Sequence, residues 1–335
     1  ETIPGRYGLV GQETTGPGGF AKALRTVPVV LDIADATRKY AQPEGWIVDF
    51  TNPVGIVTRA LLDEGHRAIG LCNVAIGFQR GFAQHFGVPP SRVELDHAGL
   101  NHLTWLRAVR IDGFDMLPEI LASEYATELA ADLGVSVDLM RMLDAIPSYY
   151  LRYFYCTDEA VEEQRHGPHR AEEVLAIERE LLRMYRDPAL DRKPELLDQR
   201  GGAYYSEAAA ALVTSLMTGD GARHYLNVRN DATIRGLPAD AVVEVPATVD
   251  RAGAHPVAVA PLRPEMLGLV QAVTQYELLT IETAKSGDPQ VAARALLANP
   301  LVRQWQHVAA LLDDILRENA QLLPRFAAAR STTGG

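Results

Sequence analysis

The sequence predicts an α/β fold that passes, after residue 92, into a mixed α+β portion. Between residues 16 and 86 helix-like and strand-like segments alternate in a βαβαβ rhythm, and after residue 92 two strand-like segments follow each other directly. Alternation indicates a parallel sheet covered by helices, whereas consecutive strands indicate antiparallel neighbours. With 335 residues, 47% of them apolar, the chain is long enough to bury a sizeable core. We therefore predict two portions, residues 1–92 and residues 93–335.

The first portion is predicted to begin with a helix and then to alternate. Residues 16–42 open on glycines and a proline and carry apolar side chains at helical spacing. WIVDF (46–50) is a short apolar run typical of a buried parallel strand, and RAIGLC (67–72) predicts the next strand. Between them PVGIVTRALLDEG (53–65) predicts a helix with Pro53 in its first turn. The last helix of this portion presents Phe78, Phe82 and Phe86 on one face.

The second portion is predicted to mix strands and helices. RVELDHAGLNHLTWLRAVRIDG (92–113) predicts two strands in succession. Helical spacing recurs over 119–144, 170–186, 205–217, 264–286 and 301–328. Strands are predicted between them for HYLNVRN (224–230), TIRGLPADAVVEVPATVD (233–250) and HPVAVAP (255–261), and the STTGG tail is predicted to be unstructured.

Charge and cysteine usage exclude several classes of protein. A formal net charge of -11 leaves no basic face in bulk for a nucleic-acid backbone, so we predict no nucleic-acid partner. No apolar run is long enough for a membrane span, and ETIPGRYGLV lacks the order of a signal peptide, so we predict no membrane partner and a cytoplasmic protein. Cys72 and Cys156 are too few for a disulfide framework, and we expect both to be reduced.

Cys72 lies at the junction between a predicted strand and a predicted helix, at the edge where open α/β sheets bind ligands. It is either a small buried apolar residue, a nucleophile or a metal ligand; the sequence context of a papain-like nucleophile is missing. DHAGLNHLTW offers His97 and His102 as partners, with Asn101 beside the second. One cysteine and one histidine are too few for structural zinc. They suit a catalytic divalent ion completed by water and substrate oxygens, although a lone histidine is also commonly a packed residue.

Two further segments are candidates for a binding site. TNPVGI (51–56) follows a predicted strand, so Asn52 either offers its amide to a ligand or caps the next helix. IPSYYLRYFY (146–155) holds Tyr149, Tyr150, Tyr153 and Tyr155, which cannot all face one side of a helix. These tyrosines either line a cavity or pack in the core.

The start of the chain lacks a feature that a dinucleotide-binding domain requires. Such a domain begins with a strand and a glycine-rich phosphate turn, followed by an acidic residue about twenty positions later. QETTGPGGF has glycines, but no apolar strand precedes it. We therefore expect either no dinucleotide site or one whose first part lies outside these residues.

Seven segments resemble, in order and spacing, glycoside hydrolase family 4: GQETTGPGGFAKALRTVP, VDFTNPVGIVTRAL, GLCNVAIGF, GLNHL, PSYYLRYFY, RAEEVLAIERELL and RGGAYYSEAAAALV. The resemblance spans residues 1 to about 330, and the family consists of NAD- and divalent-metal-dependent glycosidases that depart from two-carboxylate chemistry. It implies a Rossmann-like fold similar to lactate and malate dehydrogenases. The family's glycine turn would precede Glu1, so the chain is expected to be the carboxyl-terminal portion of a longer protein or to have lost its cofactor cradle.

The resemblance also implies a metal site and a catalytic base. The family's cysteine and histidine that hold a manganese-like ion correspond here to Cys72 and His102. The tyrosine base corresponds best to Tyr150, with Tyr149 as the competitor, and Glu13 matches a carboxylate that increases the tyrosine's basicity. A phenol with a pKa near 10 needs a nearby cation to act near neutrality.

Substrate contacts are implied in the same way. Arg170 resembles the arginine that contacts the substrate phosphate, and Asn52 would contact substrate near the nicotinamide. Asn73 follows the cysteine as in 6-phospho-β-glucosidases, although Ala75 stands where that block normally has proline. A purely structural role is the alternative for each of these residues: Glu13 could cap a helix, Arg170 could form a surface ion pair, and the tyrosines could be core residues.

The family therefore implies hydrolysis of 6-phospho-β-glucosides by oxidation at C3, removal of the C2 proton, elimination of the aglycone, addition of water and re-reduction. Expected cofactors are NAD and Mn²⁺ or another divalent metal, the expected partner is a small phosphosugar, and a homodimer or homotetramer is expected. Residues 1–92 would be the carboxyl-terminal part of the NAD-binding domain and residues 93–335 the catalytic, substrate-binding and oligomerisation domain. The alternatives are a 2-hydroxyacid-type dehydrogenase on the same fold and a truncated, non-catalytic sugar-phosphate-binding remnant.

Overall fold

The computed structural model describes residues 1–167, 170–200, 204–302 and 304–327. The STTGG tail, the end of the predicted helix 301–328 and residues 201–203 of the RGGAYY segment lie outside them. Within these ranges nine strands form one sheet: β1 (Ile47–Asp49), β2 (Ala68–Leu71), β3 (Val93–Leu100), β4 (Leu103–Ile111), β5 (Phe114–Asp115), β6 (Ile146–Pro147), β7 (Arg223–Arg229), β8 (Val242–Asp250) and β9 (Gly253–Pro256).

The helices of the described residues surround this sheet. They are α1 (Thr2–Gly5), α2 (Gly16–Tyr40), α3 (Val54–Asp63), α4 (Val74–His85), α5 (Leu117–Ala122), α6 (Tyr125–Leu133), α7 (Val137–Leu143), α8 (Arg152–Tyr155), α9 (Thr157–His166), α10 (Arg170–Met184), α11 (Leu196–Gln199), α12 (Tyr205–Thr218), α13 (Pro264–Ser286), α14 (Pro289–Ala298) and α15 (Trp305–Glu318). No helix in this part of the chain is both long enough and apolar enough to cross a membrane.

The sheet changes from parallel to antiparallel along its width. Its order is β1-β2-β7-β8-β3-β4-β5, with β6 on β4 and β9 on β8. Strands β1 and β2 are parallel, and every later pairing is antiparallel. The predicted α/β start followed by a mixed α+β portion is therefore confirmed.

The sheet also runs across the predicted boundary at residue 92. That boundary falls between α4 and β3, yet β2 pairs with β7, with Gly70 opposite Asn227 and Leu71 opposite Leu226. The end of β2 is consequently held by a strand that lies more than a hundred residues later in the chain. The division into an NAD-binding and a catalytic portion stays a prediction.

Two apolar clusters contribute most of the core. The larger one joins α2, α3, α13 and the sheet and contains Phe20, Leu61 and Trp105, all fully buried. The second lies beneath α4 to α7, where Phe82 is buried. Phe78 and Phe86, predicted on the same face as Phe82, pack partly buried against this second cluster.

Four predicted elements differ from the structure. The strand predicted over HPVAVAP (255–261) ends at Pro256 as part of β9 (Gly253–Pro256). The single helix predicted over 119–144 is three helices, because Gly134 adopts a left-handed φ of 65° at the end of α6 and Ser136 caps α7. The strand predicted over 233–250 occupies only Val242–Asp250, since the preceding Gly-Leu-Pro stretch turns. The helix predicted over 301–328 begins at Trp305 and ends at Glu318 as α15, after which a short turn (Ala320–Leu322) and helical residues 324–327 follow. Helix α14, which begins at Pro289, was not predicted.

Candidate active site

Asn52 follows strand β1 and Cys72 follows strand β2, so both residues lie at the same edge of the sheet because the two strands are parallel. Such an edge is where open α/β proteins bind ligands. Asn52 precedes a cis peptide bond to Pro53, and its side-chain Oδ1 is buried without a hydrogen-bond partner among the described residues. Pro53 itself occupies the N-cap of α3, which has no side-chain cap bond. The structure therefore does not show Asn52 as a helix cap and leaves its carbonyl available to a ligand.

Cys72 follows β2 and is only 2% exposed. The backbone of Asn73 and Val74 and the side chain of Asn101 lie beside its sulfur and favour the thiolate. Burial, followed by the charge of Glu244, outweighs these groups and raises the pKa of the thiol to about 12. A bound cation would favour the thiolate further.

His102 lies in the two-residue turn between β3 and β4, where Leu100 pairs with Leu103. Its φ of 62° is left-handed, which is uncommon outside glycine. The Thr14 hydroxyl lies 2.9 Å from Nδ1 and donates its own hydrogen to Gln12 at 3.0 Å. Nδ1 must then carry a proton and donate to Thr14, so Nε2 keeps its lone pair. Burial lowers the pKa of His102 to about 4, and the ring is therefore neutral, as a metal ligand requires.

His97, the other histidine considered from the sequence, serves a different contact. Its Nε2 lies 2.7 Å from Glu244 Oε1, and both side chains are almost fully buried. Glu244 Oε2 accepts hydrogen bonds from Asn101 at 2.8 Å and Asn227 at 3.1 Å. Burial opposes ionisation of Glu244, but the hydrogen bonds that it accepts from His97 and Asn101 help to outweigh burial and lower its pKa.

Tyr150 is brought directly onto His102. The two rings stack with centroids 3.6 Å apart and an interplanar angle of 7°. Burial, and next the nearby Cys72, raise the pKa of the Tyr150 phenol. Tyr149, the competitor, is 38% exposed, meets Tyr150 only edge-on at 5.7 Å and accepts a hydrogen bond from Arg152 at 3.3 Å. The geometry therefore favours Tyr150 over Tyr149.

The remaining tyrosines of this segment are packing residues. The Tyr155 hydroxyl accepts a hydrogen bond from Trp105 Nε1 at 3.1 Å, and Tyr153 is buried in a small cluster with Val10 and Leu301. The sequence left cavity lining and core packing open for all four tyrosines. These two occupy the core.

Glu13 faces the same group of side chains from the loop before α2. It pairs with Lys22 at 2.7 Å, and its charge contributes to the pKa values of both Tyr150 and His102. The N-cap of α2 is Thr15, without a side-chain cap bond. Helix capping is therefore not the role of Glu13.

Arg170 and Asn73 have different positions relative to this group. Arg170 begins α10, is 53% exposed in its side chain, pairs with Glu173 at 3.1 Å and donates to the Gln199 carbonyl at 2.9 Å. No hydrogen bond or ion pair between described residues joins it to Cys72, and its phosphate-binding role stays a prediction. Asn73 is the N-cap of α4, directly after Cys72.

Sequence reasoning missed three residues of the site: Thr14, Tyr205 and Glu244. The Tyr205 hydroxyl hydrogen-bonds the Asn73 backbone, and burial, then the charges of Cys72 and Glu244, raise its pKa. The signal for Glu244 was a carboxylate inside the apolar strand VVEVPATV. Its partners come from β3 and β7, and one sequence does not reveal which strands pair.

A cavity of about 30 Å³ opens beside His102, room for about two water molecules. Its lining includes Gly16, Pro53, Asn101 and Glu277. Burial raises the pKa of Glu277 to about 8, and the charge of Arg59 only partly opposes this. A protonated carboxylic acid therefore lines this cavity at neutral pH.

The donor set around Cys72 suits a metal ion that keeps open positions. In the described part of the chain, no three or more His, Cys, Asp and Glu side chains converge on one point that could hold a metal. Cys72 and His102 share neighbours: Asn101 lies beside the sulfur and precedes His102, and Tyr150 contacts the imidazole while the thiol raises the pKa of its phenol. The Cys72 sulfur and a free Nε2 fit a divalent ion completed by ligands from solution.

Comparison with known proteins identifies relatives over nearly the whole chain. The family model described as "Family 4 glycosyl hydrolase" matches residues 1–88, and that of the "Family 4 glycosyl hydrolase C-terminal domain" matches residues 97–302. A probable 6-phospho-beta-glucosidase of Bacillus subtilis (strain 168) is 38% identical over 97% of this chain and 76% of its own length. The 6-phospho-beta-glucosidase of Escherichia coli (strain K12) is 34% identical over 98% of this chain and 76% of its own.

A solved structure agrees with these relatives. The 6-phospho-beta glucosidase from Thermotoga maritima, determined with manganese, NAD+ and glucose-6-phosphate, superimposes with a TM-score of 0.88 at 36% identity. The match covers 96% of this chain and 77% of that structure.

Proposed function

Because this chain belongs to family 4 of the glycosyl hydrolases, we propose that it hydrolyses 6-phospho-β-glucosides with NAD⁺ and Mn²⁺ as cofactors. The two relatives described above are named for that activity, at 38% and 34% identity. The similar Thermotoga structure holds manganese, NAD⁺ and glucose-6-phosphate together. These likenesses support the substrate class and both cofactors.

One observation carries the proposal: Tyr150 stacks on His102, and the Cys72 sulfur lies within electrostatic reach of the same phenol. A phenol, an imidazole and a thiol are thereby close together, which supports the roles of base and metal donors that we propose for them. A thiol and an imidazole alone would fit many metal sites. The adjoining phenol specifies chemistry in which a weak acid is deprotonated beside a cation.

Cys72 Sγ and His102 Nε2 would hold the metal ion, and the Thr14 hydroxyl would fix the imidazole tautomer. When bound, NAD⁺ accepts a hydride from C3 of the sugar and later returns it, while the divalent ion polarises the C3 carbonyl and acidifies the C2 proton. Tyr150 then takes that proton on its phenol oxygen. Loss of the C2 proton expels the aglycone from C1. After water has added to C1, the same tyrosine returns a proton to C2.

Burial raises the pKa of Tyr150, so the phenol needs a positive charge nearby to work as a base. A dication held by Cys72 and His102 would provide that charge. The negative charge of Glu13 raises the pKa of Tyr150, so it would make the phenolate a stronger base toward the C2 proton.

The other predicted residues would bind substrate and cofactor. The buried, unpartnered Oδ1 of Asn52 would accept a hydrogen bond from an amide or hydroxyl donor, which fits a carboxamide or a sugar. Asn73 would contact the sugar beside the metal. Arg170 would bind the 6-phosphate after exchanging its contact with Glu173 for the anion.

We further propose that residues 1–92 form the carboxyl-terminal part of the NAD-binding portion and residues 93–335 the catalytic portion. The enzyme would act in the cytoplasm as a homodimer or homotetramer. Exposed apolar side chains support association: Leu175 and Leu182 on α10 and Val213 and Met217 on α12.

The test is release of the aglycone from a 6-phospho-β-glucoside in D₂O, with NAD⁺ and Mn²⁺ each present or omitted. We expect release only when both are present, and deuterium at C2 of the product. A dehydrogenase would instead accumulate NADH in proportion to substrate consumed. Release without NAD⁺, or a product without deuterium, would contradict the proposal, and the matching 6-phospho-α-glucoside is the control for the β assignment.

A further inference from the structure

Glu244 lies against the proposed metal site with its whole carboxylate engaged. It is 1% exposed and lies third among the nine residues of β8, between two buried valines. Oε1 contacts His97 Nε2 at 2.7 Å, and Oε2 accepts hydrogen bonds from the amides of Asn101 at 2.8 Å and Asn227 at 3.1 Å. Three donors around one carboxylate favour its ionised form.

Asn101 connects this carboxylate to the proposed metal ligand. Its side-chain amide has two N–H donors; it donates to Glu244 at 2.8 Å, and the same side chain lies beside the Cys72 sulfur and favours its thiolate. Asn101 also forms the turn with His102, so one hairpin holds both the bridge and the second ligand. Glu244 is therefore one side chain removed from the site and is not itself a ligand.

We propose that Glu244 is a positioning residue for the metal site: it fixes the Asn101 amide against Cys72 and provides a second negative charge opposite the bound dication. The inference rests on the proposed function, because it requires that Cys72 and His102 bind Mn²⁺. With Cys72 as a thiolate and His102 neutral, the ligands alone supply one negative charge. Glu244 brings the buried site to two, which matches a divalent ion.

This charge explains why a carboxylate lies between two buried valines of β8. An isolated buried charge is strongly unfavourable unless hydrogen bonds and an opposite charge compensate it. Here the hydrogen bonds come from the protein, and the opposite charge would come from the metal. If Glu244 only linked strands, a neutral side chain of the same shape would serve as well.

Glu244→Gln separates charge from shape. The glutamine carbonyl can still accept from Asn101 and Asn227, and its amide can donate to His97 Nε2, because the buried His97 Nδ1 has no partner and can take the ring proton. The readout is the Mn²⁺ dissociation constant of the 335-residue chain, measured by calorimetry and by the electron paramagnetic resonance signal of free Mn²⁺. We expect Glu244→Gln to weaken Mn²⁺ binding about 10- to 100-fold.

Glu94→Gln is the matched control. Glu94 lies on β3 but is exposed and pairs with Arg223 at 2.6 Å, so the same chemical change should leave the Mn²⁺ dissociation constant within about twofold of wild type. A dissociation constant for folded Glu244→Gln that also stays within about twofold would overturn the inference.

Asn101→Ala keeps the inference testable if Glu244→Gln does not fold. It removes the bridge but leaves Glu244 its contacts with His97 and Asn227. Circular dichroism verifies folding, and we expect weaker Mn²⁺ binding; unchanged binding would refute the bridge. Cys72→Ser tests the proposed metal site separately from the role of Glu244. Mn²⁺ binding that survives this change would contradict the metal site itself and not only the role of Glu244.

Discussion

At the scale of single residues, the stack of Tyr150 on His102 makes one substitution especially informative. Tyr150→Phe keeps the aromatic ring on the imidazole and removes only the hydroxyl that would take the C2 proton. We expect aglycone release to fall by about 10²- to 10⁴-fold, the usual contribution of a general base. Steady-state kinetics on a 6-phospho-β-glucoside measures this, with melting temperature as the check on folding.

Tyr149→Phe is the control for that experiment. Tyr149 is exposed and contacts Tyr150 only edge-on. Its hydroxyl should be dispensable, with activity within about threefold of wild type, since surface changes rarely matter. A large loss in Tyr149→Phe combined with an active Tyr150→Phe would reverse the assignment of the base.

Glu277 is expected to make stability depend on pH. Burial raises its pKa from 4.5 to about 8, so above pH 4.5 the unfolded chain releases a proton that the folded chain keeps. The unfolded state then binds fewer protons, and the free energy of unfolding falls as the pH rises through this range. Glu277→Gln removes this dependence on pH. Between pH 5 and pH 8 the free energy of unfolding of the variant should therefore rise by on the order of 3 kcal/mol relative to that of wild type.

Urea denaturation at several pH values measures this difference. Glu44→Gln in the exposed loop before β1 is the control, and it should change the free energy of unfolding by less than about 0.5 kcal/mol. If the advantage of Glu277→Gln were constant from pH 5 to pH 8, Glu277 would not be buried in its protonated form.

How much of the site could be predicted depended on sequence distance. Cys72 could be placed at a strand-to-helix junction because a short apolar run and a helical pattern meet there within a few residues. Glu244 could not, because its hydrogen bonds reach Asn101, 143 positions away. The roles of Tyr150 and His102 came from a family resemblance, and the structure supplied the ring contact between them.

At the scale of elements, strand β2 packs against its neighbours through Gly70. A Cβ there would lie 2.2 Å from Thr58 Oγ1 on α3 and 2.8 Å from Asn227 Cβ on β7. Gly70→Ala should therefore push α3 and β7 away from β2 and destabilise the chain by about 1–3 kcal/mol. Urea denaturation measures the loss.

Gly77 on α4 is the matched control, because nothing lies within 4 Å of a Cβ built there. Gly77→Ala should stabilise the chain by about 0.5–1 kcal/mol, since alanine loses less backbone entropy in a helix. Equal effects of the two alanines would show that packing around β2 is looser than these distances indicate.

Elements with a strong local pattern were predicted well, and elements whose ends depend on the surrounding fold were not. The helix predicted over 264–286 coincides with α13. The predicted helix over 119–144 breaks at Gly134, a left-handed position that helical spacing alone does not reveal. Strand β6 is two residues long, and its pairing with β4 has no signal in the sequence.

At the scale of the whole molecule, one sheet joins the two predicted portions, so we expect them to unfold together. Trp46 precedes β1 and Trp105 lies in β4, which allows each side of the sheet to be followed by fluorescence. With Trp305→Phe as background, because this side chain is 67% exposed, each remaining tryptophan can be removed in turn. Both should report the same urea midpoint, the test of a cooperative transition; two separate midpoints would show independent domains.

The contact between His102 and Tyr150 has a magnetic consequence. A tyrosine ring shields nuclei that lie over its face, and the imidazole sits nearly parallel to that face at 3.6 Å. Among the nine histidines of the chain, the carbon-bound ring protons of His102 should therefore resonate upfield, as should those of His85, which stacks on Tyr125 at 3.7 Å. Only the His102 protons should respond to a change at Tyr150. Their return to ordinary chemical shifts in Tyr150→Leu would identify them, and the chain would then carry its own nuclear-magnetic-resonance reporter of whether base and ligand touch.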